Sequence, residues 1–136
     1  KAYVVGFYPG MEYASDVMKG GFDMSTDFQG SKRDCIGKPA RDAGVLPAVD
    51  ASYPIVEGIL LKNRETGKMA ASLMNWAYKG KELVKLDNVT VKIRGTGPLK
   101  SVMSAGSGES LAFEQKGADV LVKIPRMEAG DILLLD

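Results

Sequence analysis

The stretch KLDNVTVKIRG, residues 85–95, alternates strictly: Val89, Val91 and Ile93 fall on one side of an extended chain and Thr90, Lys92 and Arg94 on the other. One side is therefore buried and the other wet, the pattern of a strand in a sheet with a single apolar face. Upstream, IVEGILLKN (55–63) and KMAASLMNWAY (68–78) flank Arg64-Glu65-Thr66-Gly67, a short loop whose glycine can take a positive φ, which is a hairpin signal. Downstream come LKSVMSA, ESLAFEQ, DVLVKIP and DILLLD, separated by Gly106-Ser107-Gly108, Lys116-Gly117 and Ala129-Gly130. Strands at this spacing without an intervening helix predict a mainly β chain, an antiparallel β-sandwich with Greek-key, immunoglobulin-like or meander connections.

Before Tyr53 the texture differs. Ala2 to Tyr8 is β-branched and aromatic and stops at Pro9-Gly10, which reads as a strand and a turn. The rest has glycine pairs, scattered charge and weak periodicity, so loop with one or two short helices is expected. The best helix runs from about Lys32 to Ala43 with Gly44 as its C-terminal cap, begun late or broken at Pro39. These features divide the chain into an irregular, partly helical segment, 1–53, and a sandwich, 54–136. The start at Lys1, without methionine and directly in a strand pattern, is expected of a fragment or a processed chain.

The 18 basic and 17 acidic residues nearly cancel, and no basic stripe forms. Nucleic acid and anionic membranes are therefore not expected partners. No run approaches the roughly 20 apolar residues of a membrane span, so a soluble chain is expected. The sequence has one cysteine, Cys35, and no histidine. An internal disulfide is thereby excluded, and Cys35 is expected to pack beside a short helix. The usual general base and the commonest transition-metal ligand are missing with histidine.

Two glycine motifs fail a physical test. The glycines of RGTGPLK (94–100) are followed by Pro98 and another strand rather than by a phosphate-receiving helix, and SAGSGES (104–110) lacks the lysine and helix of a P-loop. No cofactor is expected. Asp16, Asp23 and Asp27, with Glu12 nearby, are the densest acid cluster and a weak calcium candidate, because their spacing matches no cation-binding loop. Glycoside hydrolysis needs two carboxyl groups about 5–10 Å apart. Glu57, Asp87, Glu114, Glu128 and Asp131 qualify by type alone, and nothing in their placement pairs them.

On an extended MAASLMNWAY, Ala70, Ser72, Met74, Trp76 and Tyr78 share one face, and Ala71, Leu73 and Asn75 the other. The preferred reading makes Trp76 a core anchor and Asn75 a turn cap. The alternative is a carbohydrate-binding platform of Trp76, Tyr78 and Asn75, since sugar C–H faces stack on rings and hydroxyls bond to amides.

The segment from Ile55 to Asp136 resembles the small C-terminal β-sandwich of multidomain beta-galactosidase-like and related bacterial glycoside hydrolases. The resemblance rests on Leu73-Met74-Asn75-Trp76, similar to an "LLNW" or "LLNH" strand end, and on Met127 to Leu135, similar to a closing "L-x-x-G-D-x-x-x-L" with methionine at its first position. AYVVGFYPGMEYA (2–14) is similar to the last strand of the glutamine-amidotransferase-like domain that stands upstream in such proteins. The resemblance implies a noncatalytic accessory domain of a glycoside hydrolase, packing against neighbouring domains, in a bacterial parent that is periplasmic or secreted. It carries over no catalytic residue. A third expectation is a strand-mediated homo-oligomer using the unpaired edge of Ala2 to Tyr8.

Overall fold

The computed structural model describes Ala2, Val4, Gly6, residues 9–19 and residues 31–136. Two helices, α1 (Pro9–Lys19) and α2 (Ser31–Asp42), precede the strands β1 (Val49–Ala51), β2 (Val56–Lys62), β3 (Met69–Asn75), β4 (Tyr78–Lys79), β5 (Glu82–Leu83), β6 (Leu86–Ile93), β7 (Val102–Ser104), β8 (Phe113–Lys116), β9 (Asp119–Met127) and β10 (Gly130–Leu135). The fold is mainly β. One antiparallel sheet has the order β1-β6-β9-β8 and a second β2-β3-β10-β7, while β4 and β5 form a separate hairpin.

All seven strands read between Ile55 and Asp136 are present, and the inner faces of the two sheets share one core. Val89, Val91 and Ile93 of β6 are buried as their alternation requires, together with Val120 and Val122 of β9. Ala71 and Leu73 of β3 and Leu133 and Leu135 of β10 supply the opposite side. The alternation has one paired fault. Leu86 and Val89 both point inward, as do Met127 and Ile124 of β9, so each strand spends two residues outside, with Asn88 at φ 55° on one and Pro125 on the other. Asparagine tolerates that left-handed backbone better than a branched side chain does.

β1 was not legible as a strand, being three residues between Pro47 and Pro54, yet it pairs with β6 from Val49↔Ile93 to Ala51↔Val91. Gly58 of β2 makes room for it. A Cβ at Gly58 would collide with the Val49 side chain and come within 3.3 Å of Leu73 Cδ2.

The helices correct two readings. Pro9 and Gly10, expected as a turn, open α1, where proline's fixed φ suits the first turn. Helix α2 matches the expected span but continues through Pro39. No residue of α2 is buried, so the Cys35 carbonyl freed by proline can bond to water. It closes as foreseen at Gly44, φ 77°: Gly44 N–H donates to Arg41 O at 2.9 Å and Val45 N–H to Ala40 O at 2.9 Å, the paired bonds of a Schellman motif. Cys35 is exposed on this helix rather than packed beside it. The expected strand Ala2 to Tyr8 lies outside the described residues apart from Ala2, Val4 and Gly6, and so does the oligomer contact built on it.

Candidate functional site

Strand β3 ends at Asn75, three residues before Tyr78, because Asn75 turns the chain. Its Oδ1 accepts the Ala77 N–H at 2.9 Å, an Asx-type turn. Its Nδ2 donates to Val84 O at 2.8 Å and to Glu128 O at 2.7 Å. The side chain is thus a turn cap, as expected, and also a buried tie between the β4-β5 hairpin and the β9-β10 connection. At 2% exposure, Asn75 presents no amide to a ligand.

Trp76 overturns the core-anchor expectation, because it is 42% exposed. The parity of β3 decides this: Ala71, Leu73 and Asn75 face the core, which leaves Met74 outside and carries Trp76 with it. Its backbone N–H bonds to Ile55 O at 3.3 Å, and its indole Nε1–H donates to Glu57 Oε2 at 3.0 Å on the outer face of β2. Tyr78 is also exposed, on β4. The structure therefore brings Trp76 and Tyr78 to the surface and Asn75 beneath it.

Trp76 borders a larger feature. The outer face of the second sheet carries Ile59 and Leu61 from β2, Met74 from β3, Met103 from β7, and Ile132 and Leu134 from β10, all exposed. Ala70 and Ser72 lie between them in register, Ala70 opposite both Leu61 and Leu134, Ser72 opposite both Ile59 and Ile132. A groove of about 560 Å³ opens at the Lys62 end of this face, lined by Leu61, Lys68, Met69, Ala70, Met103 and Leu134 among others. The first sheet differs in kind. Its outer side bears ion pairs: Arg94 with Asp50 at 3.2 Å, Lys92 with Asp119 at 3.1 Å and Lys116 with Glu114 at 3.5 Å. Sequence reasoning passed over the apolar face. The signal was present in the unbroken runs Ile59-Leu60-Leu61 and Ile132 to Leu135, which read as strands covered on both sides.

The five candidate acids are dispersed. Glu57 is tied to the indole, Asp87 lies on β6 of the other sheet, and Glu114 stands beside Lys116 on β8. Glu128 and Asp131 do meet in a recess of about 470 Å³ that also includes Glu109 and Arg126. Both are already engaged. A hydrogen bond from Lys85 and its charge hold the Glu128 carboxyl below the usual range, opposite to the shift a general acid needs. Asp131 Oδ1 accepts the N–H groups of Gly106 at 3.1 Å and Ile132 at 2.7 Å.

Among the described residues, no group of three or more histidine, cysteine, aspartate or glutamate side chains could hold a metal ion. The calcium candidate lies outside the described residues, in Asp23 and Asp27 entirely and in Asp16 of α1 through its side chain. No helix among the described residues is long and apolar enough to cross a membrane.

No family model matches the chain, and no curated protein matches it. Among solved structures, the chain is similar to part of the alpha-L-fucosidase isoenzyme 2 from Paenibacillus thiaminolyticus, with a TM-score of 0.62 and 16% identity. The match covers 91% of this chain and 19% of that one, so the chain spans less than a fifth of the length of its structural neighbour. At this identity the likeness is one of fold: a mostly β domain similar to a portion of a glycosidase.

Proposed function

We propose that this chain is a noncatalytic accessory β-sandwich of a glycoside hydrolase polypeptide, and that its work is to pack against and stabilise a neighbouring domain. The observation that carries the reading is the contrast between the two outer faces, one ion-paired and one apolar. A sheet whose outward residues are Ile59, Leu61, Met74, Met103, Ile132 and Leu134 gains free energy by being covered, at about 25 cal/mol per Å² of apolar surface. The likeness to part of an alpha-L-fucosidase supports the glycosidase setting. The beta-galactosidase-like family, the amidotransferase-like neighbour upstream, and a bacterial, periplasmic or secreted parent belong to the same proposal.

The test is the double change Ile59→Lys/Ile132→Lys in the glycosidase polypeptide that contains this domain. The expected result is a melting temperature lowered by several degrees with kcat and KM for the glycoside unchanged. Unaltered melting would refute the packing role, and aryl-glycoside hydrolysis by the 136-residue chain, abolished by Glu128→Gln, would refute the noncatalytic one.

A second reading is a carbohydrate-binding surface at Trp76 and Tyr78, favoured by their exposure and by the hydrogen bond that fixes the indole. Titration with oligosaccharides tests it through the emission of the only tryptophan. A saturable shift that Tyr78→Ala weakens supports binding, and a flat titration refutes it.

A further inference from the structure

The apolar face is complementary to itself. Strand register gives it two ends: Val56, Asn75 and Gly130 lie at one, and Lys62, Met69 and Leu135 at the other. At the first end stands a knob, the indole of Trp76, oriented by Glu57. At the second lies the groove bounded by Leu61, Met69, Met103 and Leu134. Charge is distributed the same way. Glu57 marks the knob end, and Lys68 lines the groove, where Asp136 also stands; neither Glu57 nor Lys68 has an ion-pair partner among the described residues.

From this arrangement we infer that the occupant of the face is a second copy of the chain, set face to face about a two-fold axis in the contact plane at right angles to the strands. That rotation exchanges the two ends. It seats each Trp76 in the other copy's groove and brings each Glu57 over the other copy's Lys68. Two-fold contacts are isologous, so one knob, one groove and one charge pair are each used twice. The contact area is of the right order. Seven large apolar side chains, Trp76 included, are 37% to 54% exposed, and with Ala70 and Ser72 they approach the roughly 800 Å² per partner of a standard interface. Aligned packing of sheets is a common geometry for such faces. Trp76 is the expected hot spot, an aromatic entering a desolvated pocket.

The inference rests on reading the face as a packing surface, and it takes the domain that covers it to be the same sandwich of a second polypeptide. Sedimentation equilibrium of the 136-residue chain tests it. The expected mass is twice the 14.6 kDa of one chain, with tryptophan emission moving to shorter wavelength as the dimer forms. Trp76→Ala and Leu134→Lys should each raise the dimer dissociation constant at least tenfold while circular dichroism keeps the β signature. Glu57→Lys should weaken pairing, and Glu57→Lys/Lys68→Glu in one chain should restore it. A single-chain mass at every concentration up to the solubility limit overturns the inference, as does a dimer that both Trp76→Ala and Leu134→Lys leave intact. If the chain is monomeric but Leu134→Lys destabilises the longer polypeptide, another domain covers the face and the packing role stands. If Leu134→Lys changes neither, both readings fall.

Discussion

Asn75 and Glu128 are 53 residues apart in the chain, and the Asn75 amide meets the Glu128 carbonyl at 2.7 Å. With the second bond to Val84, this one side chain joins the end of β3, the β4-β5 hairpin and the turn before β10. Removing it leaves two carbonyls and one N–H short of a partner in a partly buried place, at about 1–3 kcal/mol for each group that water cannot reach. Asn75→Ala is therefore expected to cost about 3 kcal/mol in urea denaturation. Asn75→Asp should cost more at neutral pH, because a carboxylate faces two carbonyl oxygens, and should recover part of the loss in acid.

Gly58 and Val49 form a size-matched pair between the sheets. Gly58→Ala drives a methyl into the Val49 side chain and is expected to cost about 1–3 kcal/mol by overpacking. Val49→Ala alone opens a small cavity. In the double variant the two losses should partly cancel, so a thermodynamic cycle is expected to give a favourable coupling above about 0.5 kcal/mol. Strict additivity would mean that β1 moves aside freely.

The left-handed residue Asn88 sits opposite Pro125, where both strands shift phase. Asn88→Val is expected to lower stability by about 1–2 kcal/mol, and Asn88→Gly to lie within a few tenths of the parent. Thermal melts of the three proteins check the order.

Acid should weaken the first sheet at a known place. The hydrogen bond from Lys92, and then that from the Gly95 N–H, hold the Asp119 carboxyl below its ordinary 3.8. A folded-state value below the unfolded one contributes stability that is present above the unfolded value. That contribution is lost as pH falls through the folded one. The melting temperature should therefore fall as pH drops below about 4. Asp119→Asn should remove this share of the fall, while a pH dependence identical to the parent's would show the contact to be thermally idle.

The sequence by itself determined seven of the ten strands, all but β1, β4 and β5, and the helix stop. Val89, Val91 and Ile93 could only be an inner face, since period-two alternation assigns apolar side chains to one side of a strand whatever the partner is. Gly44 could end α2 for an equally local reason, the cost of a left-handed backbone to any residue with a Cβ. Tertiary structure decided what Trp76, Asn75 and the unbroken apolar runs are for. A lone tryptophan reads as core and an asparagine as surface when each is judged by its own polarity. Here Asn75 is buried because the carbonyls that satisfy it come from residues 9 and 53 positions away, which no local pattern records. Trp76 is outside because β3 must turn Ala71 and Leu73 to the core, and one residue's step along a strand reverses its side. The second apolar face of β2 and β10 emerges for a related reason. Ile59-Leu60-Leu61 states that both sides of the strand are apolar, but only the packing of one sheet on the other decides which side is already covered and which remains open to a partner.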